Sequence, residues 1–399
     1  MVRLGYLVPE FPSQTHAFFW RESRVLAESG FQVTYLSTRR PPRSACAHAF
    51  AATAHETTRY LFPPTAGDVA ALARHPRKTA NAIRYLAGLA GLSARERAQL
   101  FALLPCASRL VRQARELSLD HIHVHSCANA AHLAALTQHL GGPSYSLTLH
   151  GDLDVYGTHH AEKMQNAMFV SPVTRPLQQE LITRFSRTTE NTPVILMGVD
   201  TDRFVDSGIR QSQKNQLRLL TVSRLNQAKG HIHAFAAMEQ LRADGIAVTY
   251  TLAGAGPYEA SLREEVARLG LQDQVRFLGS VSEDQVLNLL QESDAFILPS
   301  TGAGEASPVA VMEAMSCKLP VVCSLIGGTG DMIDNGMDGF LVPQKDVGAI
   351  YRALKDLATN LALRKTMGEA ARARAETQFD HRKNALRLAS AIKRGLATK

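Results

Sequence analysis

Short apolar runs alternate with helical patterns along most of this chain. In the second half, six runs of strand type are separated by segments of helical periodicity: residues 217–222, 248–253, 274–278, 295–298, 320–323 and 339–342. Such alternation is typical of parallel sheets that carry helices on both faces. The second half is therefore expected to form a doubly wound α/β domain.

The first half shows the same alternation. Strand-like runs at residues 3–8 and 31–37 flank a helical pattern, residues 13–29, that stops at Gly30. Further strand-like runs follow, again separated by helical patterns: residues 121–125, 145–149 and 168–171. This order predicts a second sheet with helices on its faces.

Composition and a weakly periodic segment set the domain limits. The 399 residues suffice for two ordinary domains, and a hydrophobic content of 45% with 20% charged residues is typical of a soluble globular protein. Residues 198–216 are polar and indicate a hinge. We therefore expect two Rossmann-like domains, residues 1–197 and 198–379, that face a central cleft in which a ligand binds.

Cysteine usage and hydropathy indicate the compartment. The five cysteines are scattered and form no Cys-x-x-Cys pair, so we expect neither disulfides nor zinc. No apolar run is long enough to span a membrane, and Met1 leads straight into a strand-like segment without a signal peptide pattern. A cytoplasmic location is expected.

Positive charge is concentrated in residues 66–115. The whole chain has a formal net charge of +8, and this segment holds nine basic and two acidic residues, a local net charge of +7. Leucines interleave with the cations, which predicts a pair of basic amphipathic helices that attach to an anionic membrane surface. The alternative is a solvated outer face. Few aromatics accompany the cations, so nucleic acid is not an expected partner.

Residues 304–315 combine a strand end, a helix start and an acidic site. Ser307 is a good N-cap and Pro308 suits the first helical position, after which the sequence continues as an apolar helix. The unpaired N–H groups at such a helix start attract a phosphate.

Two carboxylates accompany this helix start. Glu305 precedes it in the loop, and Glu313 follows roughly 9 Å along the helix axis. Such carboxylates could grip the two ends of an elongated ligand whose phosphates lie between them. The alternative is that Glu305 complements the helix dipole while Glu313 is solvated.

Cations and glycines follow other strands of the second half. Arg224 and Lys229 lie after its first strand, where cations suit a diphosphate, unless they are isolated surface charges. Gly254 and Gly256 end its second strand and permit close approach of a ligand, although the motif is weak.

Histidines mark the strand ends of the first half. His150 ends a strand and is a candidate for catalysis or substrate contact. The nearby Asp152 and Asp154 resemble a metal-binding pair but lack further acidic partners. Three alternating histidines share one strand face, where core packing is favoured over zinc: His121, His123 and His125.

Together these motifs resemble a retaining glycosyltransferase of family 4 with the GT-B fold. The resemblance covers most of the second half and depends on the following residues: Ser223, Arg224, Leu225, Lys229, Gly230, Gly254, Gly256, Glu305, Glu313, Gly327 and Gly328. The start of the chain, residues 6–15 with 20–22, is similar to the family branch that builds bacterial exopolysaccharides such as colanic acid.

The resemblance implies a role for each site residue. Arg224 and Lys229 would hold the donor diphosphate, helped by the backbone around Ser307, Pro308 and Val309. Glu313 would bind the ribose, while Glu305 and His150 would be catalytic residues next to the transferred sugar. A helix from residue 380 to 399 would pack back on the first domain.

The resemblance also implies the reaction. We expect a retaining hexosyltransferase that uses a UDP- or GDP-linked sugar, needs no metal or other cofactor, and serves a lipid-linked or saccharide acceptor in polysaccharide biosynthesis. The enzyme would be cytoplasmic, held on the inner face of the plasma membrane by residues 66–115. Two alternatives stay open: a GT-B transferase for a small soluble acceptor, and a protein that binds a nucleotide sugar without turnover.

Overall fold

The computed structural model describes residues 1–46, 48–302 and 305–398. The chain divides into two compact units, one formed by Met1–Ile195 with Ala385–Lys399 and the other by Leu196–Asn384. The first change of unit lies two residues before the expected boundary at 197, and the second lies five residues after the one at 379.

The first unit is built on a parallel sheet. Among the described residues its six strands are β1 Val2–Glu10, β2 Phe31–Arg39, β3 Arg59–Tyr60, β4 His121–Val124, β5 Ser144–Leu149 and β6 Val170–Pro172. They lie in the order β3-β2-β1-β4-β5-β6, which is the order of a doubly wound dinucleotide-binding sheet. The strand order reverses between β1 and β4, so the loops after these two strands lie next to each other.

Ten helices contribute to this unit in the described part of the chain. They are α1 Ala17–Glu28, α2 Ala51–Thr57, α3 Ala66–Arg74, α4 Pro76–Ala87, α5 Ala94–Phe101, α6 Leu103–Glu116, α7 Asn129–His139, α8 His160–Met164, α9 Arg175–Phe185 and α17 His381–Ala397. From residue 385 onward α17 belongs to the first unit, where Leu388 and Ile392 pack with Leu4 and Tyr6.

The basic segment 66–115 differs from the predicted helix pair. It forms four helices, α3 to α6, because Pro76 starts a new helix and Ser93 caps another through a capping box with Glu96. Most of its apolar side chains pack into the core of the first unit, so they form no continuous exposed apolar face, and attachment to a membrane stays a prediction. The cations remain outside, with many of them exposed.

The second unit repeats the sheet topology. Its six strands among the described residues are β7 Gln216–Val222, β8 Ala247–Ala253, β9 Val275–Phe277, β10 Ala295–Leu298, β11 Val321–Ser324 and β12 Gly339–Val342. All six correspond to predicted runs. The parallel order β12-β11-β10-β7-β8-β9 places the reversal between β7 and β10.

Helices cover both faces of this sheet. In the described residues they are α10 His231–Ala243, α11 Glu259–Arg268, α12 Glu283–Glu292, α13 Val309–Ser316, α14 Thr329–Met332, α15 Val347–Thr359 and α16 Leu361–Gln378. The strands of this sheet carry apolar side chains into a core on either face, which explains their continuous apolar runs. Within the described ranges, no helix of either unit has the length and apolar character needed to cross a bilayer.

Candidate active site

The candidate site of the second unit lies where its strand order reverses. The loop after β7 and the loop after β10 leave adjacent strands in the same direction, and their backbones are joined by a hydrogen bond from the Thr301 N–H to the Ala228 carbonyl at 2.7 Å. In open α/β sheets this switch point is where ligands bind. The two loops carry Lys229 and Glu305.

Lys229 and Glu305 form an ion pair at this point. The Lys229 ammonium donates to Glu305 Oε1, and the Ser300 hydroxyl donates to the same oxygen at 2.8 Å. Glu305 is 8% exposed, whereas Lys229 is only half-buried. The carboxylate is thus held in one orientation, while the cation is accessible to an anion.

The helix beside this pair begins without a side-chain cap. α13 starts at Val309, and Pro308 is the N-cap residue with extended backbone angles, φ −67° and ψ 114°. The predicted N-cap, Ser307, was wrong by one residue because its buried hydroxyl faces Met332 Sδ at 3.8 Å. No described side chain caps the first turn, so its N–H groups remain suited to an anion.

The remaining predicted donor residues differ in their surroundings. Pro308 has no N–H and cannot donate to a phosphate, so of the three predicted backbone positions Ser307 and Val309 can do so. Arg224 is exposed, and Glu313 is half-buried on α13. Gly304, the first residue of the predicted acidic stretch, lies outside the described residues.

Two glycines of this unit allow neighbouring loops to approach each other closely. A Cβ atom on Gly254 would overlap the carbonyl oxygen of Ser223, and one on Gly327 would overlap the carbonyl oxygen of Glu305. Both residues also have positive φ, 145° and 53°. The close approach predicted for a ligand at Gly254 is therefore made by the neighbouring loop, which carries Arg224 and Lys229.

In the first unit, His150 lies in a buried cluster of rings. It follows β5, and its Nε2 is 3.1 Å from Nδ1 of His125, which follows β4. The rings of Phe18 and Phe19 lie 5.4 Å and 5.2 Å from the His150 ring. Burial lowers the pKa of His150 to about 3, with a smaller contribution from His16, so the imidazole is neutral at physiological pH.

The loop behind His150 is held by a buried lysine. The His150 N–H donates to the Tyr156 hydroxyl at 2.8 Å, and the Lys163 ammonium donates to the carbonyls of Tyr156 and Cys127 at 2.9 and 2.7 Å. Lys163 is 1% exposed, and burial lowers its pKa. These bonds fix the backbone that presents His150.

Glu22 is a second carboxylate that the sequence did not identify as a site residue. It projects from α1 and accepts a hydrogen bond from the Tyr6 hydroxyl at 2.7 Å, while His125 Nε2 lies 3.5 Å from the same oxygen. Burial raises the pKa of Glu22 to about 7. A signal was present, because Glu22 shares the inward stripe of α1 with Phe19 and Leu26 at helical spacing.

The alternating histidines of β4 are core residues, as predicted. His121 bonds Ser144 and Ser146 at 2.9 and 2.7 Å, and His123 bonds Ser146 and Thr148 at 2.7 and 2.8 Å. Their rings thus bridge β4 and β5. In the described part of the chain, no three or more His, Cys, Asp or Glu side chains are grouped as a metal ion would require.

Comparison with known proteins identifies the second unit. Residues 202–374 match the family model described as glycosyl transferases group 1. The amylovoran biosynthesis glycosyltransferase AmsK of Erwinia amylovora is 34% identical over 220 residues, 54% of this chain and 53% of that protein. The putative colanic acid biosynthesis glycosyltransferase WcaL of Escherichia coli is 36% identical over 169 residues, 41% of each chain.

The comparison with solved structures covers the whole chain. HepE of Anabaena, in complex with UDP and glucose, superposes with a TM-score of 0.73 at 18% identity and covers 98% of this chain and 100% of its own. The match spans 53% of AmsK and 41% of WcaL, about half or less of the length of these two relatives. The predicted resemblance and fold class are both confirmed: the chain has the GT-B fold, and its residues 202–374 match the glycosyl transferases group 1 family.

Proposed function

We propose that this chain is a retaining glycosyltransferase that moves a sugar from a nucleotide diphosphate sugar to a lipid-linked or saccharide acceptor in polysaccharide biosynthesis. The observation that carries the proposal is the Lys229–Glu305 pair beside the uncapped start of α13. An accessible cation with backbone N–H groups suits a diphosphate, and a fixed carboxylate suits sugar hydroxyls. The relatives that match the chain are named for the synthesis of amylovoran and colanic acid.

Each residue has a role in this proposal. Lys229 and Arg224 hold the diphosphate together with the first turn of α13, and Glu313 binds the ribose. Donor binding moves the Lys229 ammonium from Glu305 toward the phosphates. The Glu305 carboxylate then accepts hydrogen bonds from the transferred sugar, and His150 is the second catalytic residue of the proposal.

The reaction replaces one C–O bond by another. The bond between the anomeric carbon and the diphosphate breaks, and a bond to the acceptor oxygen forms on the same face of the sugar. The acceptor proton passes to the departing phosphate oxygen, so the chain supplies no separate general base. Lys229 and the α13 N–H groups stabilise the negative charge that develops on the leaving group, and the proposal therefore includes no metal.

Thermal unfolding with UDP, GDP, ADP and CMP, each with and without EDTA, tests the donor site. A ligand present at 100 times its dissociation constant stabilises the folded state by about 2.7 kcal/mol. We expect UDP or GDP to raise the unfolding midpoint, EDTA to leave the rise unchanged, and Lys229→Ala to abolish it. If no nucleotide shifts the midpoint, the proposed donor site is wrong.

Release of the nucleotide separates catalysis from binding alone. With the stabilising nucleotide presented as its sugar conjugate, slow hydrolysis or transfer to a lipid-linked or saccharide acceptor should release the diphosphate. Binding without release, under every acceptor tried and with water, would instead support a nucleotide-sugar-binding protein.

We also propose that the first unit lies on the cytoplasmic face of an anionic membrane. Because the apolar side chains of α3 to α6 are mostly in the core, the attraction would come from the exposed cations, among them Arg74, Arg77, Lys78 and Arg84. Vesicles with anionic lipid should co-float with the protein at low salt but not at high salt. Charge reversal at Arg77 and Lys78 should abolish flotation, and flotation on neutral vesicles alone would contradict the proposal.

A further inference from the structure

The His150 ring is connected to a half-buried carboxylate, that of Glu22, through a second imidazole. Glu22 Oε1 accepts from the Tyr6 hydroxyl at 2.7 Å, His125 Nε2 is 3.5 Å from that oxygen, and His125 Nδ1 is 3.1 Å from His150 Nε2. His125 Nε2 is buried and has no hydrogen-bond partner of ordinary length among the described residues, so the carboxylate is the group it faces.

The rings of this cluster have little freedom to rotate. The Tyr6 ring lies 4.3 Å from the His125 ring, and Phe19 packs edge-on against both His125 and His150, at 4.7 and 5.2 Å. The side chain of His125 has no exposed surface. Because the rings and their nitrogens are fixed, only the positions of the ring protons can change.

We propose that Glu22 and His125 are positioning residues that select the tautomer of His150, which carries its proton on Nε2 while Glu22 is ionised. The assignment follows from counting donors. An ionised Glu22 can only accept, so His125 must place its single proton on Nε2, and its Nδ1 must then accept from His150 Nε2–H. His150 Nδ1 is left as the acceptor nitrogen.

Protonation of Glu22 reverses the direction of these bonds. A neutral carboxyl donates to His125 Nε2, His125 then donates from Nδ1, and His150 must accept at Nε2 and carry its proton on Nδ1. The Nδ1 of His150, which is an acceptor in the ionised state, thus becomes a donor. No atom moves in this exchange apart from protons.

The other titratable groups around the cluster do not titrate with Glu22. Burial lowers the pKa of His16, His123, His125 and His150, and raises that of the tyrosines, all away from the neutral range. Arg24 places a positive charge near Tyr35. Glu22, with a pKa of about 7, is therefore the group that changes near neutrality.

The direct test is ¹⁵N NMR of histidine ring nitrogens in the full-length protein, with His150 assigned from His150→Asn. At pH 8.5 we expect the Nε2 of His150 to have the shift of a protonated nitrogen, and at pH 6 the proton should move to Nδ1. Tyr6→Phe removes a bond that stabilises the Glu22 carboxylate, so the transition should move to higher pH. A proton on Nδ1 at pH 8.5 would overturn the proposal.

Two substitutions at Glu22 sharpen the test. Glu22→Gln keeps an oxygen that accepts from Tyr6 and His125, so His150 should stay in the Nε2–H form at every pH. Glu22→Leu has no acceptor, and its His150 signals should become a mixture of both tautomers. Unchanged His150 shifts in Glu22→Leu would contradict the proposal, and His123→Gln, which alters a neighbouring buried histidine, is the matched control.

The consequence for turnover rests on the proposed function. Glu22→Leu should lower kcat about tenfold or more with little change in the KM for the donor, and Glu22→Gln should restore kcat. Because the NMR test requires no donor, a chain that lacks transferase activity would refute the proposed function and leave the tautomer assignment standing. A lowered kcat that Glu22→Gln fails to restore would count against the positioning role.

Discussion

The two units share one sheet order but differ in the groups that follow their strands. In the first unit, the loops after β4 and β5 carry uncharged imidazoles, those of the buried His125 and the half-buried His150. In the second, the loops after β7 and β10 carry an ion pair, in which Lys229 is half-buried and Glu305 is buried. The fold therefore supplies a position, and the side chains placed there decide whether that position holds neutral hydrogen-bonding groups or charge.

The largest expected difference between the units is their response to acid. Burial lowers the pKa of His16 to about 4 and of His132 and His150 to about 3 in the first unit, while in the second it lowers the pKa of His231 to about 3 and also lowers that of His233. Each folded-state pKa lies below the unfolded value, so the stabilisation present above pH 6.5 is lost as pH falls. At pH 5 each of the first four of these histidines lowers the free energy of unfolding by about 2 kcal/mol relative to its value well above pH 6.5.

Hydrogen exchange between pH 7 and pH 5 measures this difference. The first unit should lose protection before the second. His132→Asn should reduce the acid sensitivity of the first unit, and replacement of the exposed His75 should leave it unchanged. Earlier loss of protection in the second unit would refute the comparison.

The next effect concerns the charged site. Lys229→Ala should lower kcat by roughly 10²- to 10³-fold, because one fixed electrostatic contact to developing charge is worth about that much. Initial rates of diphosphate release measure the change. Lys355→Ala is the matched control, since it removes another lysine paired with a carboxylate in the same unit, that of Asp244, and should retain full activity.

Glu22 provides a test of smaller size in the first unit. Its folded pKa of about 7 is above the ordinary value of 4.5, so the folded state binds more protons between these values and stability falls as pH rises. The free energy of unfolding of Glu22→Gln, taken relative to that of the parent chain, should rise by roughly 3 kcal/mol from pH 4 to pH 8. Urea unfolding at both pH values measures this gain.

The titration of all other groups is common to the variant and the parent chain, so it cancels in the difference between them. Glu28→Gln, at an exposed position on the same helix, should show no such gain. An equal gain for both variants would mean that Glu22 is not held in a low-dielectric environment.

The smallest expected effect is that of Arg224. Because its side chain is exposed, its attraction to a diphosphate is screened, and Arg224→Ala should raise the donor KM about tenfold or less. The difference from the parent chain should shrink as salt is raised from 50 to 500 mM. A loss of kcat as large as that of Lys229→Ala would place Arg224 at the reacting phosphate.

The strands of the second unit were predictable because their apolar runs are short and are separated by segments of helical periodicity. All six runs are strands. The helix after residue 308 was also predicted, yet its cap was displaced by one residue. The displacement has a tertiary cause, since Ser307 faces Met332 of α14 rather than the first turn.

The basic segment shows where local pattern fails. Helices with interleaved leucines and cations suit a membrane surface and a protein core equally well, because either one can cover their apolar side. The packing of Leu86, Leu100 and Leu104 against the rest of the first unit decides for the core. That decision depends on residues far away in the chain.

The amino-acid sequence alone determined the α/β class, the positions of the strands other than β3, and the types of group at the strand ends, because periodicity and residue chemistry are local properties. Tertiary structure alone decided that Lys229 meets Glu305 and that Glu22 meets His125, pairs that are distant in sequence. It also decided their charge states, because the pKa of Glu22 or His150 is set by the dielectric and the neighbours that folding brings around it.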